Sequence, residues 1–268
     1  MKLLPPKYLT AYRKANKVDL RSNLLALDAA KLPRNFVELA TVEGAVSSSQ
    51  IEGSKVSLGT YTKAMLVSGG APRQRDLREI YDLVQAYKLA QRRKLTAANL
   101  LEAHGTLAHT LLSGTNDRGA YRTKGIRVGN FWETVYVGPD PTQVPSLMEQ
   151  LMAEVGELNT RALSSTEVFY YAALLHLRLV QVHPFADGNG RTARILEKWF
   201  LATHLGRNGW KVRSEMYYRL NLPNYYATLK MGRTWGEVDL AKSIPFLVQL
   251  PMALAMPLHS GMVESATT

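Results

Sequence analysis

The chain has 268 residues, of which 46% are hydrophobic, so one large domain or two small ones with a sizeable core are possible. It contains no cysteine, which excludes disulfides, thiolate zinc sites and cysteine nucleophiles and fits a reducing compartment, for which we expect the cytoplasm. The 33 basic and 22 acidic residues give a net charge of +11, which suits polyphosphate, an acidic partner or nucleic acid.

The ends of the chain carry no targeting signal that we can identify. Residues 1–6 begin no long apolar run, so we expect no signal peptide. The most apolar stretch, residues 244–258, is short and contains three prolines, so we expect no membrane span. The basic residues are scattered and accompany no zinc finger or recognition helix, so we do not expect nucleic acid as the partner.

Residues 1–74 are predicted to form an N-terminal helical region, with one or two short helices before residue 31. Asn35 followed by Glu38 predicts a capping box at the start of a helix that runs to about Glu52. Gly53 is a natural left-handed residue after that helix. A carboxylate in a last turn faces the negative end of the helix dipole, so chemistry alone favours an exposed Glu52 that tolerates a small cost.

Three further helices are predicted at residues 60–67, 77–94 and 96–112, the last capped by Thr96. His104 and His109 lie five residues apart on the third helix, on different faces. We interpret both as structural.

Two short β-rich runs, at residues 126–129 and 134–137, are the only convincing strands, and residues 130–133 between them predict a hairpin. A lone hairpin is marginal unless it packs on something. A helix at residues 144–158 follows it.

The most informative stretch is residues 183–194, which read HPFADGNGRTAR and join predicted helices at 168–182 and 191–204. Proline disfavours helix at the residue before it, so His183 should lie at a helix–loop junction. Glycines let backbone N–H groups approach a ligand, and a helix N-terminus attracts anions. Arg191 and Arg194 oppose the dipole of their own helix, and a bound anion would explain them.

Beyond residue 206 the pattern loosens. His176, two turns before His183, is interpreted as a buried, hydrogen-bonded histidine. Residues 239–250 predict a last helix, and residues 251–268 predict a tail.

The stretch HPFADGNGRTAR resembles the Fic family motif HPFx(D/E)GNGRxxR at every fixed position, and the resemblance extends over roughly residues 35–235. It implies an all-α fold, a Fic-type helical bundle with a small β-hairpin flap over the active site. The catalytic core would span residues 75–205, and helices in residues 206–250 would close the nucleotide site. The implied activity is protein adenylylation, the transfer of AMP from ATP to a Ser, Thr or Tyr hydroxyl.

The resemblance also implies roles for the motif residues. His183 would be the general base, Asp187 would bind Mg²⁺, and the phosphates would lie on Gly188, Asn189, Gly190, Arg191 and Arg194. Histidine titrates near neutrality as such a base must, and Mg²⁺ prefers one or two carboxylates plus phosphate oxygens. Tyr225, Tyr226 and Leu229 resemble the part of Fic proteins that encloses adenine, whereas Arg233 departs from the polar amide often found there.

Two further segments gain a role through the resemblance. Residues 48–53 fit the inhibitory-helix motif (S/T)xxxE(G/N), in which Ser48, Glu52 and Gly53 are the regulatory residues. Glu52 would pair with Arg194 and keep ATP in a non-productive pose. The flap residues Ile126, Arg127, Val128 and Gly129 would dock the target by main-chain pairing.

Alternatives remain open at this stage. The same site could run in reverse, with Glu52 orienting water to remove AMP, or the chain could be a catalytically silent basic interaction or nucleic-acid-binding module. The sequence does not identify the target, for which the chain itself is one candidate, nor does it tell whether a second copy of the chain is a partner.

Overall fold

The computed structural model describes residues 2–129 and 134–257, and helices make up most of them. The helices are α1 (Leu9–Ala15), α2 (Leu20–Ala29), α3 (Phe36–Ile51), α4 (Leu58–Ser68), α5 (Arg75–Arg92), α6 (Ala97–Leu107), α7 (Val144–Asn159), α8 (Ser165–Val182), α9 (Asn189–Leu205), α10 (Arg207–Lys211), α11 (Ser214–Leu220), α12 (Leu222–Leu229), α13 (Ile244–Leu247) and α14 (Gln249–Leu254). Short 3₁₀ turns lie at Pro6–Tyr8, Thr115–Asp117, Pro141–Gln143, Trp235–Glu237 and Leu240–Ser243.

The helices α8 and α9 form the centre of the bundle and are buried along most of their length. A full capping box between Ser164 and Glu167 starts α8. Because Pro184 disfavours helix at the residue before it, α8 ends at Val182, and its C-cap His183 adopts a left-handed conformation with φ 50° and ψ 58°. The predicted helix–loop–helix around the motif is therefore confirmed, with α9 beginning two residues earlier than expected.

Helix α3 packs against α5 and α11 and brings residue 52 to the centre of the molecule. Its predicted extent is confirmed, and Gly53 has the expected positive φ of 99°. The capping box predicted at Asn35 is wrong, because Asn35 makes no side-chain cap hydrogen bond. Its backbone, at φ −89° and ψ 12°, is not extended as an N-cap residue usually is.

The predicted hairpin is confirmed as an antiparallel pair of β1 (Arg127–Gly129) and β2 (Thr134–Val137). The register pairs Arg127 with Val137 and Val128 with Tyr136, and shifts before Gly129. The outer edge of β2 is anchored, since the Val137 N–H donates to the Arg233 carbonyl at 2.8 Å. The connecting residues 130–133 lie outside the described residues.

The third predicted helix of the N-terminal half is shorter than expected. Helix α6 keeps the predicted Thr96 cap, whose side chain accepts from the Asn99 N–H, but ends at Leu107 rather than at residue 112. Residues 108–111 continue as turns.

The single helix predicted at residues 239–250 is wrong. A 3₁₀ turn and two short helices occupy residues 240–254, since Pro245 and Pro251 lack the N–H that a continuous helix would need. Helix α14 extends to Leu254, into the predicted tail, of which residues 258–268 lie outside the described residues. Within the described ranges, every helix is too short or too polar to cross a bilayer.

Candidate active site

His183 is held at the junction of α8 and the following loop by its own backbone and ring. Its N–H continues the helix by donating to the Leu179 carbonyl at 2.8 Å, and its ring Nδ1 lies 3.1 Å from the Val180 carbonyl. A carbonyl only accepts, so Nδ1 carries the proton and Nε2 of the neutral ring is left free to accept one. Burial lowers the pKa of His183, and the bond to Val180 opposes that shift. The side chain is therefore a neutral base near pH 7.

The loop after His183 is closed by the side chain of Asn189. Its Oδ1 accepts from the Phe185 N–H and its Nδ2 donates to the Phe185 carbonyl, both at 2.9 Å. Because the amide is engaged there, Asn189 has its backbone N–H, rather than its side chain, to offer a phosphate. Gly188, at φ 78°, makes the turn into α9.

A buried histidine supports this loop from behind. His104 accepts from the Gly119 N–H at Nδ1, so its Nε2 carries the proton and donates to the Asp187 carbonyl at 3.0 Å. Its ring stacks on Phe185 with centroids 3.6 Å apart. Burial lowers the pKa of His104 to about 4, so the ring stays neutral. The structural interpretation of His104 fits these contacts, which hold the motif loop in shape.

The first turn of α9 presents backbone N–H groups and two arginines that the structure separates. Among the described residues no side chain caps this helix. Arg191 lies 3.8 Å from Glu79 of α5, a partner that sequence reasoning missed. Arg194, three residues later, is fully buried and pairs with a different carboxylate, that of Glu52. The open helix terminus and the Arg191 guanidinium can hold a polyphosphate.

Glu52 and Arg194 form a close ion pair across the site. Arg194 Nη2 donates to Glu52 Oε1 at 2.6 Å, while Nε donates to Ser48 Oγ at 2.7 Å and Nη1 to the Tyr225 hydroxyl at 3.2 Å. The full burial of Arg194 and the partial desolvation of Glu52 disfavour both charges, but favourable interactions outweigh this cost, so the pKa of Glu52 is lowered and that of Arg194 is raised. Both groups are therefore charged near neutral pH, and the arginine is already satisfied.

Two cavities meet at Glu52. One, of about 270 Å³, is lined by the motif loop, His183, residues 126–129 and Glu52. The other, of about 370 Å³, is lined by the end of α3, Asp76, Glu79 and Arg191. Glu52 and Arg191 line both cavities. A roomier cavity of about 580 Å³ is lined by residues of α5, α6 and the following loop and contains no motif residue.

Asp187 is the carboxylate available for a divalent metal. It is exposed at the mouth of the smaller cavity, and its Oδ1 accepts from the Gly188 N–H at 2.6 Å. In the part of the chain that the structure describes, no group of three or more acidic, His or Cys side chains could hold a metal. A single carboxylate beside an anion site fits Mg²⁺ that arrives with phosphate oxygens, rather than a cage built by protein alone.

The predicted flap residues Ile126, Arg127, Val128 and Gly129 line the same cavity as His183. The hairpin is fixed to α8 by Tyr136, whose hydroxyl donates to the Gln181 carbonyl at 2.7 Å. Sequence reasoning missed Arg122, which is 5% exposed and donates to the His183 carbonyl at 2.8 Å. Nothing in the sequence around Arg122 indicated that its side chain would be buried against His183.

The three predicted adenine contacts lie on α12 in different settings. Tyr225 is buried, and its hydroxyl contacts Arg194 and His176. Tyr226 is 43% exposed and donates to the Ile51 carbonyl at 2.8 Å, which ties α12 to the end of α3. Leu229 is partly buried against the core.

His176 is buried and hydrogen-bonded as predicted, whereas His109 lies at the surface. His176 is fully buried between Glu197, at 2.8 Å, and the Tyr225 hydroxyl, at 3.1 Å. His109 is largely exposed, 3.8 Å from Asp82 and away from the motif.

Known proteins resemble this chain in sequence and in fold. Residues 94–201 match the Fic/DOC family. Curated relatives named protein adenylyltransferase Fic include those of Drosophila virilis and Drosophila willistoni, each 31% identical over 192 residues. These matches cover 63% of this chain and 36% of each relative, so the chain spans about a third of the length of the curated relatives it matches.

Solved structures share the fold at lower identity. A Fic family protein from Desulfovibrio desulfuricans G20 superposes with a TM-score of 0.72 at 20% identity, covering 88% of this chain and 72% of that chain. A Fic domain containing signalling protein from Bacteroides thetaiotaomicron superposes with a TM-score of 0.67 at 22% identity, covering 88% and 92%. Fic-1 from C. elegans gives 0.65 at 22% identity, covering 93% and 72%. The all-α bundle with a hairpin flap is therefore confirmed as the Fic fold.

Proposed function

We propose that this chain, of which residues 94–201 match the Fic/DOC family, is a protein adenylyltransferase that moves AMP from ATP to a hydroxyl of a protein target. The observation that carries the proposal is the meeting of three features in one cavity. These are the unprotonated Nε2 of His183, the uncapped start of α9, and the guanidinium of Arg191. The curated relatives are named for this activity.

In the proposed reaction the target oxygen attacks the α-phosphorus of ATP while His183 Nε2 takes the hydroxyl proton. The bond from the α-phosphorus to the α,β-bridging oxygen breaks, and pyrophosphate leaves. The N–H groups of α9 and its arginines balance the charge of the phosphates, which is most of what such a transfer needs from a protein.

Asp187 is the residue that would hold Mg²⁺ in this proposal, together with phosphate oxygens. The ion would supply charge neutralisation at the phosphates. The support is the exposed carboxylate beside the anion site.

We further propose that Glu52 restrains the enzyme from within. Arg194 is held by Glu52, Ser48 and Tyr225, so it cannot also hold a γ-phosphate. Glu52 also lines both of the cavities that a triphosphate would need together. Gly190 adds to this, because a Cβ there would overlap Glu52 Oε1, so the carboxylate lies directly against the first turn of α9.

We also propose roles for the hairpin and for α12, and a compartment for the chain. Residues 126–129 would pair with the target backbone, and Tyr226 and Leu229 would bound the adenine together with Tyr225. A cytoplasmic location remains a proposal based on the cysteine-free sequence.

The test uses ATP labelled at either the α- or the γ-phosphate, with Mg²⁺, and follows label on the protein itself or on proteins of a lysate. We expect weak labelling by the wild type, strong labelling by Glu52→Gly, and none by Glu52→Gly/His183→Ala, with the α-label only. Transfer of the γ-label would instead indicate a kinase. Labelling by the double variant that equals Glu52→Gly would contradict the assigned base.

The reverse reaction is a second candidate, favoured by one observation. Glu52 lines the same cavity as His183 and Asp187, where a carboxylate could orient water toward an AMP-modified target. Release of AMP from a purified modified protein by the wild type, lost in Glu52→Gln, would support this candidate. Release that does not depend on Glu52 would exclude it.

A further inference from the structure

One buried guanidinium joins the catalytic histidine to both ends of the hairpin. Arg122 donates from Nε to the His183 carbonyl at 2.8 Å, from Nη1 to the Lys124 carbonyl at 2.8 Å, and from Nη2 to the Pro139 carbonyl at 2.7 Å. Lys124 precedes β1 and Pro139 follows β2. The three acceptors thus come from the end of α8 and from the two feet of the flap.

The backbone of Arg122 adds a fourth link to the same place. Its N–H donates to the Pro184 carbonyl at 2.8 Å, so the two residues that leave α8 both bond to Arg122. His183 is the one described non-glycine residue with positive φ, at 50°. A residue in this sparsely populated region persists where its surroundings fix it, and these two bonds help to do so.

The feet of the flap pack tightly against the same junction. The Gly138 N–H donates to the Ile126 carbonyl at 3.3 Å and closes the hairpin. A Cβ at Gly138 would lie 2.8 Å from Ile126 Cγ2, 3.1 Å from Arg122 Nη2 and 3.8 Å from the His183 Cβ. The flap base, the arginine and the histidine therefore form one packed unit without room for an added methyl group.

We propose that Arg122 is a positioning residue that holds the flap in fixed register with the His183 imidazole. A target strand that pairs with residues 126–129 would then present its hydroxyl at a set distance from Nε2. Proton transfer needs a separation of about 2.6–3.2 Å, and a displacement of about 1 Å can cost roughly a hundredfold in rate. The role of Arg122 in catalysis rests on the proposed adenylyl transfer, whereas its hold on the flap does not.

The planar fork of arginine is what this position requires. Three nitrogens of one planar guanidinium donate to three different carbonyls, and the ammonium group of lysine cannot reproduce that arrangement. Arg122→Lys should therefore behave as a loss of the link, although it keeps the positive charge. Arg118 provides a matched control, because it is a partly buried arginine of the same loop that donates twice to a single carbonyl, that of Leu112.

The first experiment needs no activity. Hydrogen exchange is measured on peptides that cover residues 126–129 and 134–138, in wild type, Arg122→Lys, Arg122→Met, Arg118→Lys and Arg118→Met. We expect exchange in the flap to rise at least tenfold in the Arg122 variants and less than twofold in the Arg118 variants, while α5 and α9 stay protected. Unchanged flap exchange would overturn the proposal, as would an equal loss of protection throughout the chain, which would make Arg122 a general structural residue.

The second experiment separates catalysis from nucleotide binding in the Glu52→Gly background. We expect Arg122→Lys to lower the rate of AMP incorporation from ATP into the protein at least tenfold, with the dissociation constant for a non-hydrolysable ATP analogue changed less than twofold. A rate equal to that of the parent would overturn the proposal. If Glu52→Gly itself incorporates no AMP, the proposed function fails, and the exchange result still decides whether Arg122 holds the flap.

Discussion

At the scale of single residues, hydrogen-bond partners in the site fix the tautomer of His183 and the pairing of Arg194. The Val180 carbonyl fixes the proton of His183 on Nδ1, which leaves Nε2 as the acceptor. The site also holds one arginine, Arg194, in a complete set of bonds before any ligand arrives. The proposed base and the proposed restraint therefore depend on different neighbours.

The pH dependence of adenylylation should report the neutral His183. Burial and the charge of Arg122 lower its pKa below the ordinary 6.5, and the base works only when unprotonated. The rate of Glu52→Gly should therefore rise as pH increases through the lowered pKa and be flat above pH 7. Removal of Glu52 lowers this pKa further, because the charge of Glu52 raises it. A midpoint of the single-turnover rate above pH 7 would contradict the assignment.

The stability of Glu52→Gly should depend on nucleotide more strongly than that of the wild type. Arg194 is fully buried and loses its acidic partner, but Glu52 is about one-third exposed and the bonds to Ser48 and Tyr225 remain. We expect a loss of roughly 1–3 kcal/mol in the free energy of unfolding, below that of breaking a fully buried pair.

Saturating ATP with Mg²⁺ should restore most of that loss, because phosphate replaces the carboxylate beside Arg194. Thermal unfolding with and without ATP measures both effects. The Asp28→Asn variant serves as a control, since Asp28 is exposed and remote in sequence from the motif. An ATP-induced rise in melting temperature that is equal in wild type and Glu52→Gly would contradict the competition between Glu52 and phosphate.

Sequence reasoning reached the motif residues because their chemistry is local. Residues 183–194 lie in one stretch, so their order and spacing carry the signal. Glu79 and Arg122 reach the site from far along the chain, at 3.8 Å from Arg191 and 2.8 Å from the His183 carbonyl. Nothing in the local sequence around Glu79 or Arg122 indicates these contacts.

At the scale of elements, α3 acts as a support for Glu52 that must end in the right place. Gly53 follows at φ 99° with nothing within 4 Å of where a Cβ would be, so an alanine there adds backbone strain without a steric clash. Tyr226 bonds to the last turn of the same helix. The end of α3 is thus fixed by backbone geometry and by α12.

Gly53→Ala should raise basal adenylylation a few-fold by weakening the end of α3. The strain is about 1 kcal/mol, the typical penalty for a side chain in this backbone region. Gly69→Ala is the matched control, because Gly69 also follows a helix at positive φ, 61°, with nothing within 4 Å. Both variants should melt at lower temperature, and Gly53→Ala alone should gain activity. Equal activity in the two variants would contradict the role of the α3 terminus.

Helices and strands were predictable where the sequence pattern was strong, but the residues at which they begin and end were not always predictable. The hairpin and the helix pair around the motif follow from alternation, periodicity and Pro184. The breaks at residues 240–254 depend on where Pro245 and Pro251 fall within short helices, which an apolar run does not reveal. The failed cap at Asn35 reflects its backbone angles, which are set by tertiary packing.

At the scale of the whole molecule, the C-terminal helices hold α3, the helix that ends beside Glu52. Arg213 donates to both Glu43 carboxylate oxygens at 2.7 and 2.8 Å, joining the start of α11 to the middle of α3. Gly44 lets α11 approach, since a Cβ there would lie 3.2 Å from Glu215. These contacts join segments about 170 residues apart, and no pattern in the sequence indicated them.

We propose that this chain carries AMP to a hydroxyl with His183 as base and Glu52 as restraint. Intact-mass spectrometry of wild type, Glu52→Gly and Glu52→Gly/His183→Ala after incubation with ATP and Mg²⁺ tests it most directly. We expect a gain of one or more adenylyl groups that is large in Glu52→Gly, small in the wild type and absent in the double variant. Adenylyl groups on the double variant at the level of Glu52→Gly, or more on the wild type than on Glu52→Gly, would contradict it.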